Sequence, residues 1–190
     1  MILEIKTKNE KQKQVTRRLT IEPDEMFDNE DYGLYSEGLI VITFHRHYRI
    51  GQKHNFEKLE DALKFYPEEK FYNFPLYMYD HSNLTFSLTS FNDNWDSGLV
   101  GCIFIDKKWA KQNLTDVEVY VNHCIKIQNY IECGAVYFFK DEEVTICNCC
   151  GHEITKQLDS CGGYIGYLEE VKEKIVEEIP IYKNAKVIEE

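Results

Sequence analysis

The hydrophobic positions of the first 45 residues follow the period of β-strands. Residues 2–7 (ILEIKT) and 14–21 (QVTRRLTI) carry apolar or β-branched residues at alternating positions and are joined by the polar KNEKQK segment. This period-two pattern predicts two strands that pair as a hairpin. Residues 38–45 (GLIVITFH) form a continuous apolar run, which predicts a central, buried strand.

Three later segments repeat apolar residues every three or four positions, which predicts three helices. These segments are residues 55–66, 115–133 and 167–179. Asn55 is the predicted N-cap of the first helix, and Pro67 ends it. Thr115 and Glu118 have the spacing of a capping box at the start of the second. Pro180 ends the third.

Strand patterns fill most of the remaining chain and come in neighbouring pairs. Residues 71–91 predict two strands around the HSN turn, residues 135–149 predict two around a DEE turn, and residues 99–106 (LVGCIFID) predict one buried strand. Adjacent strands with short connections favour antiparallel pairing. We therefore predict one α+β domain over residues 1–190, with a mainly antiparallel sheet and about three helices packed on it.

Composition narrows the class of protein. Hydrophobic residues make up 43% of the 190 residues, which is enough for a core, and no run approaches the roughly 18 apolar residues of a membrane helix. The N-terminal MILEIKTKNEKQKQ is charged where an export signal is apolar. We therefore expect a cytoplasmic protein whose seven cysteines are thiols or metal ligands.

The net charge of −11 bears on partners. Sequence-independent nucleic-acid binding depends on Lys and Arg side chains that neutralise phosphates, so an acidic chain argues against it. The same charge favours partners with basic surfaces.

Three stretches together resemble a family of small proteins carried by bacteriophages and mobile elements of Gram-positive bacteria. They are FHRHYRIGQKH at 44–54, PLYMYDHSNLTFSLTSFNDNWDSGLVGCIFI at 75–105 and LDSCGGYIG at 158–166. The family pattern is PLYxYDHS…WDSGxVG followed by DSCxGxxG, and the match covers about two thirds of the chain. Leu99 stands where Gln is usual, and Gly162 where an aromatic residue is usual.

The resemblance implies a genomic setting and assigns no reaction. A mobile-element setting favours an accessory protein that binds and inhibits a host defence complex, such as an anti-CRISPR or another anti-defence inhibitor. An acidic surface can occupy the basic nucleic-acid channel of a nuclease, because that channel attracts carboxylates as it attracts phosphates.

The NDNWDSGLVG segment at residues 92–101 allows three interpretations. A hydrolase would use Ser97 and Asp96 with His81 of the DHS turn, although the G-x-S-x-G elbow that exposes a nucleophilic serine is missing. A structural turn would use Asp96 and Ser97 to bond the backbone and Trp95 to anchor the loop on the core. In the third interpretation, the DHS turn, with Asp80, and the WDSG turn form one polar pocket. We favour a structural or binding role and predict no catalytic residue.

HRHYRIGQKH is the densest basic segment. On an extended backbone His45 and His47 share one face, where they could meet a metal ion or an anion, and Arg46 lies on the other. Arg46, His47 and Arg49 are candidate anion-binding residues. With the DHS and WDSG turns they support an alternative function, a sponge protein that binds a nucleotide or another phosphate ligand.

CNCCGHE carries the strongest chemical signal. Cys147 and Cys150 have C-x-x-C spacing followed by glycine, as in zinc knuckles, and His152 and Cys161 could complete four zinc ligands. A second C-x-x-C is missing, so buried or inert cysteines remain an alternative. A small zinc-stabilised binding module is thus another candidate function.

Overall fold

The computed structural model describes residues 1–11, 13–93 and 95–189. Gln12, in the predicted hairpin turn, and Asn94, in the NDNWDSGLVG segment, lie outside the described residues. The described chain contains four α-helices and nine strands in two antiparallel sheets, which confirms the α+β class. Within it, every helix is too short or too polar to cross a membrane.

The chain packs as two compact units, and each unit has its own sheet. Unit 1 combines residues 1–27 with residues 134–190, and unit 2 is residues 28–133. The single antiparallel sheet of the sequence prediction is therefore two sheets. The boundary of one domain over residues 1–190 stays a prediction.

Unit 1 contains a five-stranded antiparallel sheet with strand order β8-β7-β2-β1-β9. Its elements are β1 (Ile2–Lys8), β2 (Gln14–Pro23), β7 (Val136–Ile146), β8 (Glu153–Ile165), α4 (Leu168–Glu178), a 3₁₀ turn (Pro180–Asn184) and β9 (Lys186–Glu189). The predicted hairpin is confirmed, because β1 and β2 pair along their length from Ile2↔Thr20 to Lys8↔Gln14.

The core of unit 1 forms where α4 packs on one face of this sheet. Val171 and Ile175 of α4 are fully buried against alternate residues of the strands, among them Leu19 and Phe139. Every second residue of the strands is buried and faces the apolar stripe of the helix. The sheet and the helix therefore cover each other's apolar face.

The predicted DEE turn is wrong. Residues 136–146 are one continuous strand, β7, and Asp141 lies in its middle with 2% exposure. Arg17 donates to both of its carboxylate oxygens, and the Tyr182 hydroxyl donates to Oδ1 at 2.6 Å. Three acidic residues in a row indicate a turn on propensity, but here partners on β2 and the 3₁₀ turn satisfy the buried carboxylate.

Unit 2 contains a four-stranded antiparallel sheet with strand order β3-β6-β4-β5. Its elements are a 3₁₀ turn (Gly33–Tyr35), β3 (Ile40–Thr43), α1 (Leu59–Phe65), β4 (Phe71–His81), β5 (Asn83–Ser87), β6 (Ser97–Asp106), α2 (Lys107–Asn113) and α3 (Val117–Glu132). The strands on either side of the HSN turn and the LVGCIFID strand are confirmed as β4, β5 and β6.

The prediction of a central strand at residues 38–45 is wrong in position, because β3 is an edge strand. Its apolar residues are nevertheless buried: Val41 and Ile42 are at most 2% exposed. Gln52 covers the free edge, since its backbone N–H donates to the Val41 carbonyl at 2.9 Å. A covered edge has the same apolar composition as a central strand, so composition alone cannot separate the two.

Two helix starts also differ from the prediction. The first helix begins at Leu59, after Lys58, and Asn55 does not cap it. The second predicted helix is α3, which begins at Val117, where the Asp116 carboxylate accepts from the Val119 N–H at 3.0 Å in place of the predicted Thr115 cap. Aspartate and threonine are both good caps, and Val121 and Cys124 of this helix lie in the core.

Candidate functional site

The DHS and WDSG turns lie side by side in unit 2. The chain reverses between β4 and β5 at Ser82, which has a φ of 70°. The Asp80 N–H donates to the Asp96 carbonyl at 2.8 Å, and this bond extends the pairing of β4 with β6. Of the three interpretations of this segment, the shared pocket is present, and the structural turn is present in part, because the Ser97 hydroxyl bonds the backbone.

His81 and Asp96 form the central contact of the two turns. Nδ1 of His81 lies 3.1 Å from Oδ2 of Asp96, and both side chains are open to solvent at 66% and 43% exposure. The Ser97 hydroxyl donates to the Asp93 carbonyl and not to His81. These side chains therefore do not form a serine–histidine relay in this structure, because the hydroxyl is held away from the imidazole.

Asp93 fixes the loop that carries Trp95, and sequence reasoning missed this role. Its carboxylate accepts from the Trp95 N–H at 2.8 Å and the Asp96 N–H at 3.3 Å, and these bonds lower the pKa of Asp93. An aspartate that bonds the backbone two residues ahead is the signature of an Asx turn. The D-x-W spacing was the available signal.

The prediction that Trp95 anchors the loop on the core is wrong, because Trp95 is 95% exposed. Backbone bonds to Asp93 hold the turn without help from the indole ring. The four residues Asp80, His81, Trp95 and Asp96 are called the Trp95 surface below. Asp80, Trp95 and Asp96 line a cavity of about 340 Å³ together with His45, Met78 and Leu99, whereas His81 lies outside its lining.

The basic segment at residues 45–49 is a turn and not an extended strand. The backbone N–H groups of His47 and Tyr48 both donate to His45 Nδ1 at 3.3 Å, and the His45 ring stacks on Tyr48 at 5.0 Å. The backbone is therefore not extended as predicted, but the two imidazoles still lie together, with the ring centres of His45 and His47 5.8 Å apart. A hydrogen bond to Asp80 raises the pKa of Tyr48, and this contact joins the segment to the Trp95 surface.

A second cavity of about 390 Å³ also has His45 in its lining. Arg49, Lys53 and His54 are among its lining residues, while Arg46 and His47 are exposed and outside the lining of both cavities. His54 Nε2 bonds the Thr43 carbonyl at 2.8 Å, so the buried Nδ1 atom, which lacks a partner among the described residues, is the free ring nitrogen. The two cavities share His45 and bring most of the predicted binding residues together.

The CNCCGHE segment forms the turn between β7 and β8 in unit 1. The Cys147 N–H donates to the His152 carbonyl at 2.8 Å, the Gly151 N–H donates to the Cys147 carbonyl at 2.9 Å, and Gly151 has a φ of 72°. The sulfur atoms of Cys147, Cys149 and Cys150 all lie within 4.8 Å of one another and could hold a metal ion. These three residues are called the cysteine cluster below.

Hydrogen bonds inside the cluster change its acidity. The Cys147 and Cys149 sulfurs lie 2.8 Å apart. Bonds from the Cys149 thiol and from nearby backbone N–H groups lower the pKa of Cys147 to about 6, while the contact with Cys147 raises the pKa of Cys149. Cys147 is therefore the thiol of the cluster that most readily becomes a thiolate, the form that reacts and binds metals.

The predicted set of zinc ligands is wrong in two members. Cys161 pairs with Phe139 on β7. Phe139 lies seven residues before Ile146, the end of β7 next to the cluster, and seven residues of extended strand span about 23 Å. His152 follows the turn but lies outside the cluster. Cys149, which the spacing argument passed over, takes the place of a ligand because a tight turn brings C-x-C neighbours together.

Leu99 and Gly162, the two positions that differ from the motifs this chain resembles, both line cavities. Leu99 is 50% exposed and lines the cavity beside the Trp95 surface. Gly162 lines a separate cavity of about 730 Å³ in unit 1, where a Cβ atom would collide with the Asp24 carboxylate. The same carboxylate accepts from the Gly163 N–H at 2.9 Å. An aromatic residue at 162 would displace this contact.

Comparisons of this chain with protein-family models, with curated proteins and with solved structures found no match.

Proposed function

We propose that this chain acts by binding a protein partner through the Trp95 surface, and that the partner is a host defence complex with a basic nucleic-acid channel. The observation that carries the proposal is the 95% exposure of Trp95 on a turn fixed by hydrogen bonds. Tryptophan is enriched among the residues that dominate binding energy in interfaces, because it covers a large area with little loss of conformational freedom.

The charge around Trp95 supports a basic partner. Asp80, Asp93 and Asp96 lie on the two adjoining turns, and the whole chain carries a net charge of −11. Carboxylates around an apolar anchor attract a lysine-rich or arginine-rich surface and speed its encounter, and added salt weakens this attraction. The resemblance to phage and mobile-element proteins adds the expectation that the partner belongs to a host defence system.

The test measures defence with and without this chain. Host cells with an active nucleic-acid-targeting defence are challenged with a targeted phage, and plaque counts are compared for the wild-type chain, Trp95→Ala and Met26→Ala. Met26 is the matched control because it is 91% exposed but lies in unit 1. We expect the wild type and Met26→Ala to restore plaques and Trp95→Ala to lose most of the effect.

Two results would contradict the proposal. Equal protection by Trp95→Ala would remove the Trp95 surface from the mechanism. Failure of the wild-type chain against every defence class tested, with the protein present at normal levels, would remove the anti-defence function itself. Binding of the purified target at low and high salt then measures the electrostatic part, which should decrease as salt increases.

A second candidate is a sponge that binds a nucleotide or another phosphate ligand. It is favoured by the two cavities that meet at His45: Arg49 and Lys53 line one and Trp95 lines the other. A phosphate would lie near the two cations, and a base could stack on the indole ring.

This candidate predicts an increase in melting temperature with a nucleotide and without any protein partner. Arg49→Ala should remove the increase, whereas Arg46→Ala should keep it, because Arg46 lies outside both cavities. If neither variant changes the melting response, or if no nucleotide produces one, the sponge function is wrong.

A zinc-stabilised module is supported less well. Structural zinc takes four protein ligands, and the cysteine cluster brings only three of its own while two predicted ligands lie elsewhere. We propose binding in place of catalysis for this chain, and the separation of Ser97 from His81 supports that choice.

A further inference from the structure

The cysteine cluster is the only group of three or more metal-ligating side chains found among the described residues, and its ligands are all sulfur. All three cysteines are free thiols at the surface, with Cys149 and Cys150 exposed and Cys147 half-buried. An ion can therefore reach the cluster from solvent without any opening of the fold.

The sulfur positions suit a three-coordinate ion. An ion about 2.3 Å from three sulfurs and in their plane holds those sulfurs about 4 Å apart. The present separations are within 4.8 Å, and the 2.8 Å between Cys147 and Cys149 must increase by roughly 1 Å. Rotation of exposed side chains about χ1 supplies a movement of this size while the turn keeps its backbone bonds.

The chemistry of the ligands selects the ion. Thiolates are soft ligands that prefer Cu(I), zinc and iron–sulfur clusters, and hard ions such as Mg²⁺ and Ca²⁺ prefer oxygen. Structural zinc is almost always tetrahedral with four protein ligands, and the described residues place no fourth ligand in the cluster. Cu(I) is satisfied by three thiolates.

We propose that Cys147, Cys149 and Cys150 form a three-thiolate site for one Cu(I) ion at the tip of the β7–β8 hairpin. The site lies in unit 1, whereas the Trp95 surface and both cavities around His45 lie in unit 2. The inference therefore does not depend on the proposed function, and either can fail without the other.

The turn is built to present these sulfurs whether or not the ion is bound. The two backbone bonds between Cys147 and residues 151–152 close the turn, and Gly151 occupies the left-handed conformation that other residues adopt at a cost. Because the backbone is fixed beforehand, binding orders only three short side chains, which keeps its entropic cost low.

The test is a competition for Cu(I) under anaerobic, reducing conditions. The full chain is titrated with Cu(I) in the presence of a chromophoric Cu(I) chelator, and the chelator's absorbance reports the copper that the protein does not hold. We expect the wild type to withhold one equivalent. X-ray absorption of the copper-loaded protein should find three sulfur ligands and no nitrogen, and equimolar Zn²⁺ should not displace the copper.

Two variants separate the site from the other thiols. The triple variant Cys147→Ser, Cys149→Ser, Cys150→Ser should lose the equivalent, with a circular dichroism spectrum like that of the wild type because the turn is exposed. The matched control Cys133→Ser, Cys161→Ser removes two other exposed thiols and should keep it.

Four outcomes would overturn the proposal. They are a wild type that withholds no copper, a triple variant that still withholds it, a copper coordination shell with a nitrogen or a fourth protein ligand, and displacement by equimolar Zn²⁺. Displacement by Zn²⁺ would identify the cluster as part of a zinc site.

Discussion

Two aspartates with basic neighbours occupy opposite environments in this molecule. Asp141 lies inside unit 1 with 2% exposure and three hydrogen bonds from Arg17 and Tyr182. Asp96 lies on the Trp95 surface of unit 2 with a 43% exposed side chain and one contact to His81. The first carboxylate has exchanged its water for protein partners, and the second keeps most of its water.

Burial separates the carboxylates that stabilise this fold from those that remain available to a partner. Removal of a buried carboxylate leaves its partners uncompensated in a region of low dielectric, so it destabilises the fold. An exposed ion pair contributes little to folding, and its groups are free to be desolvated by a partner. We therefore expect substitutions at Asp141 to change stability, and substitutions on the Trp95 surface to change binding.

The largest effect is expected for Asp141→Ala. Loss of the buried carboxylate leaves Arg17 and Tyr182 without their acceptor and should lower the free energy of unfolding by about 3 kcal/mol. Chemical denaturation monitored by circular dichroism measures this. A decrease as small as the one expected for Asp96→Asn would show that the buried network does not hold the fold.

A smaller decrease, about 1 kcal/mol, is expected for Tyr182→Phe, which removes one hydrogen bond to Asp141 and keeps the ring. The substitution should also change how the free energy of unfolding depends on pH. Burial raises the pKa of Tyr182 above its unfolded value. The protonated hydroxyl therefore contributes stability that is fully present below about pH 10 and is lost as the pH rises further.

The free energy of unfolding, measured near pH 9 and near pH 11, tests whether stability is lost as the pH rises. The wild type should lose more stability than Tyr182→Phe across that interval, since the variant has no hydroxyl to ionise at this position. An equal loss in both proteins would mean that Tyr182 does not titrate differently in the folded and unfolded states.

On the Trp95 surface, Asp96→Asn should change the free energy of unfolding by less than about 0.5 kcal/mol. The substitution removes the charge that faces His81 and leaves the backbone bond from Asp80 intact. The same variant should weaken binding to a basic partner at low salt and have little effect at high salt. A large loss of stability would place Asp96 with Asp141, among the structural carboxylates.

The smallest effect on stability is expected for Trp95→Phe, and fluorescence sharpens the contrast. The chain has two tryptophans, and Trp109 packs near Tyr120 with ring centres 6.1 Å apart. The variant that keeps only Trp109 should emit at shorter wavelength and resist acrylamide. Trp109→Phe, which keeps Trp95, should emit as a solvent-exposed indole and be quenched readily. Similar quenching of both variants would contradict the exposure of Trp95.

Periodicity predicted most elements whose apolar residues alternate cleanly, such as β1, β2 and α4. It failed where tertiary partners override local preference, as at Asp141, whose row of acidic residues indicates a turn. It also missed β8, since residues 153–162 are exposed along an edge strand and carry no buried face. Pairing with β7, and not an apolar pattern, defines that strand.

For the candidate sites, the spacing of residues in the sequence identified the segments that carry chemistry, but it did not identify which side chains lie together in them. The DHS and WDSG turns were predicted to share a pocket because neighbouring strand ends meet, and they do. The members of the cysteine cluster could be identified only from the geometry of the turn. That geometry includes Cys149 and leaves out the predicted ligands Cys161 and His152. The exposure of Trp95 follows from the turn that Asp93 holds two residues earlier, and the D-x-W spacing was the sequence signal for that turn.

The discontinuous course of unit 1 sets an order of events during protein synthesis. β2 ends at Pro23, and its partner β7 starts at Val136 and pairs Tyr137 with that same Pro23. At ribosomal rates of synthesis, roughly 5 to 20 s pass between the synthesis of β2 and the synthesis of its partner β7. All residues of unit 2 are made during that interval, so unit 2 can fold before unit 1 is complete. Unit 2 is then an insertion between the first hairpin and the later strands of unit 1.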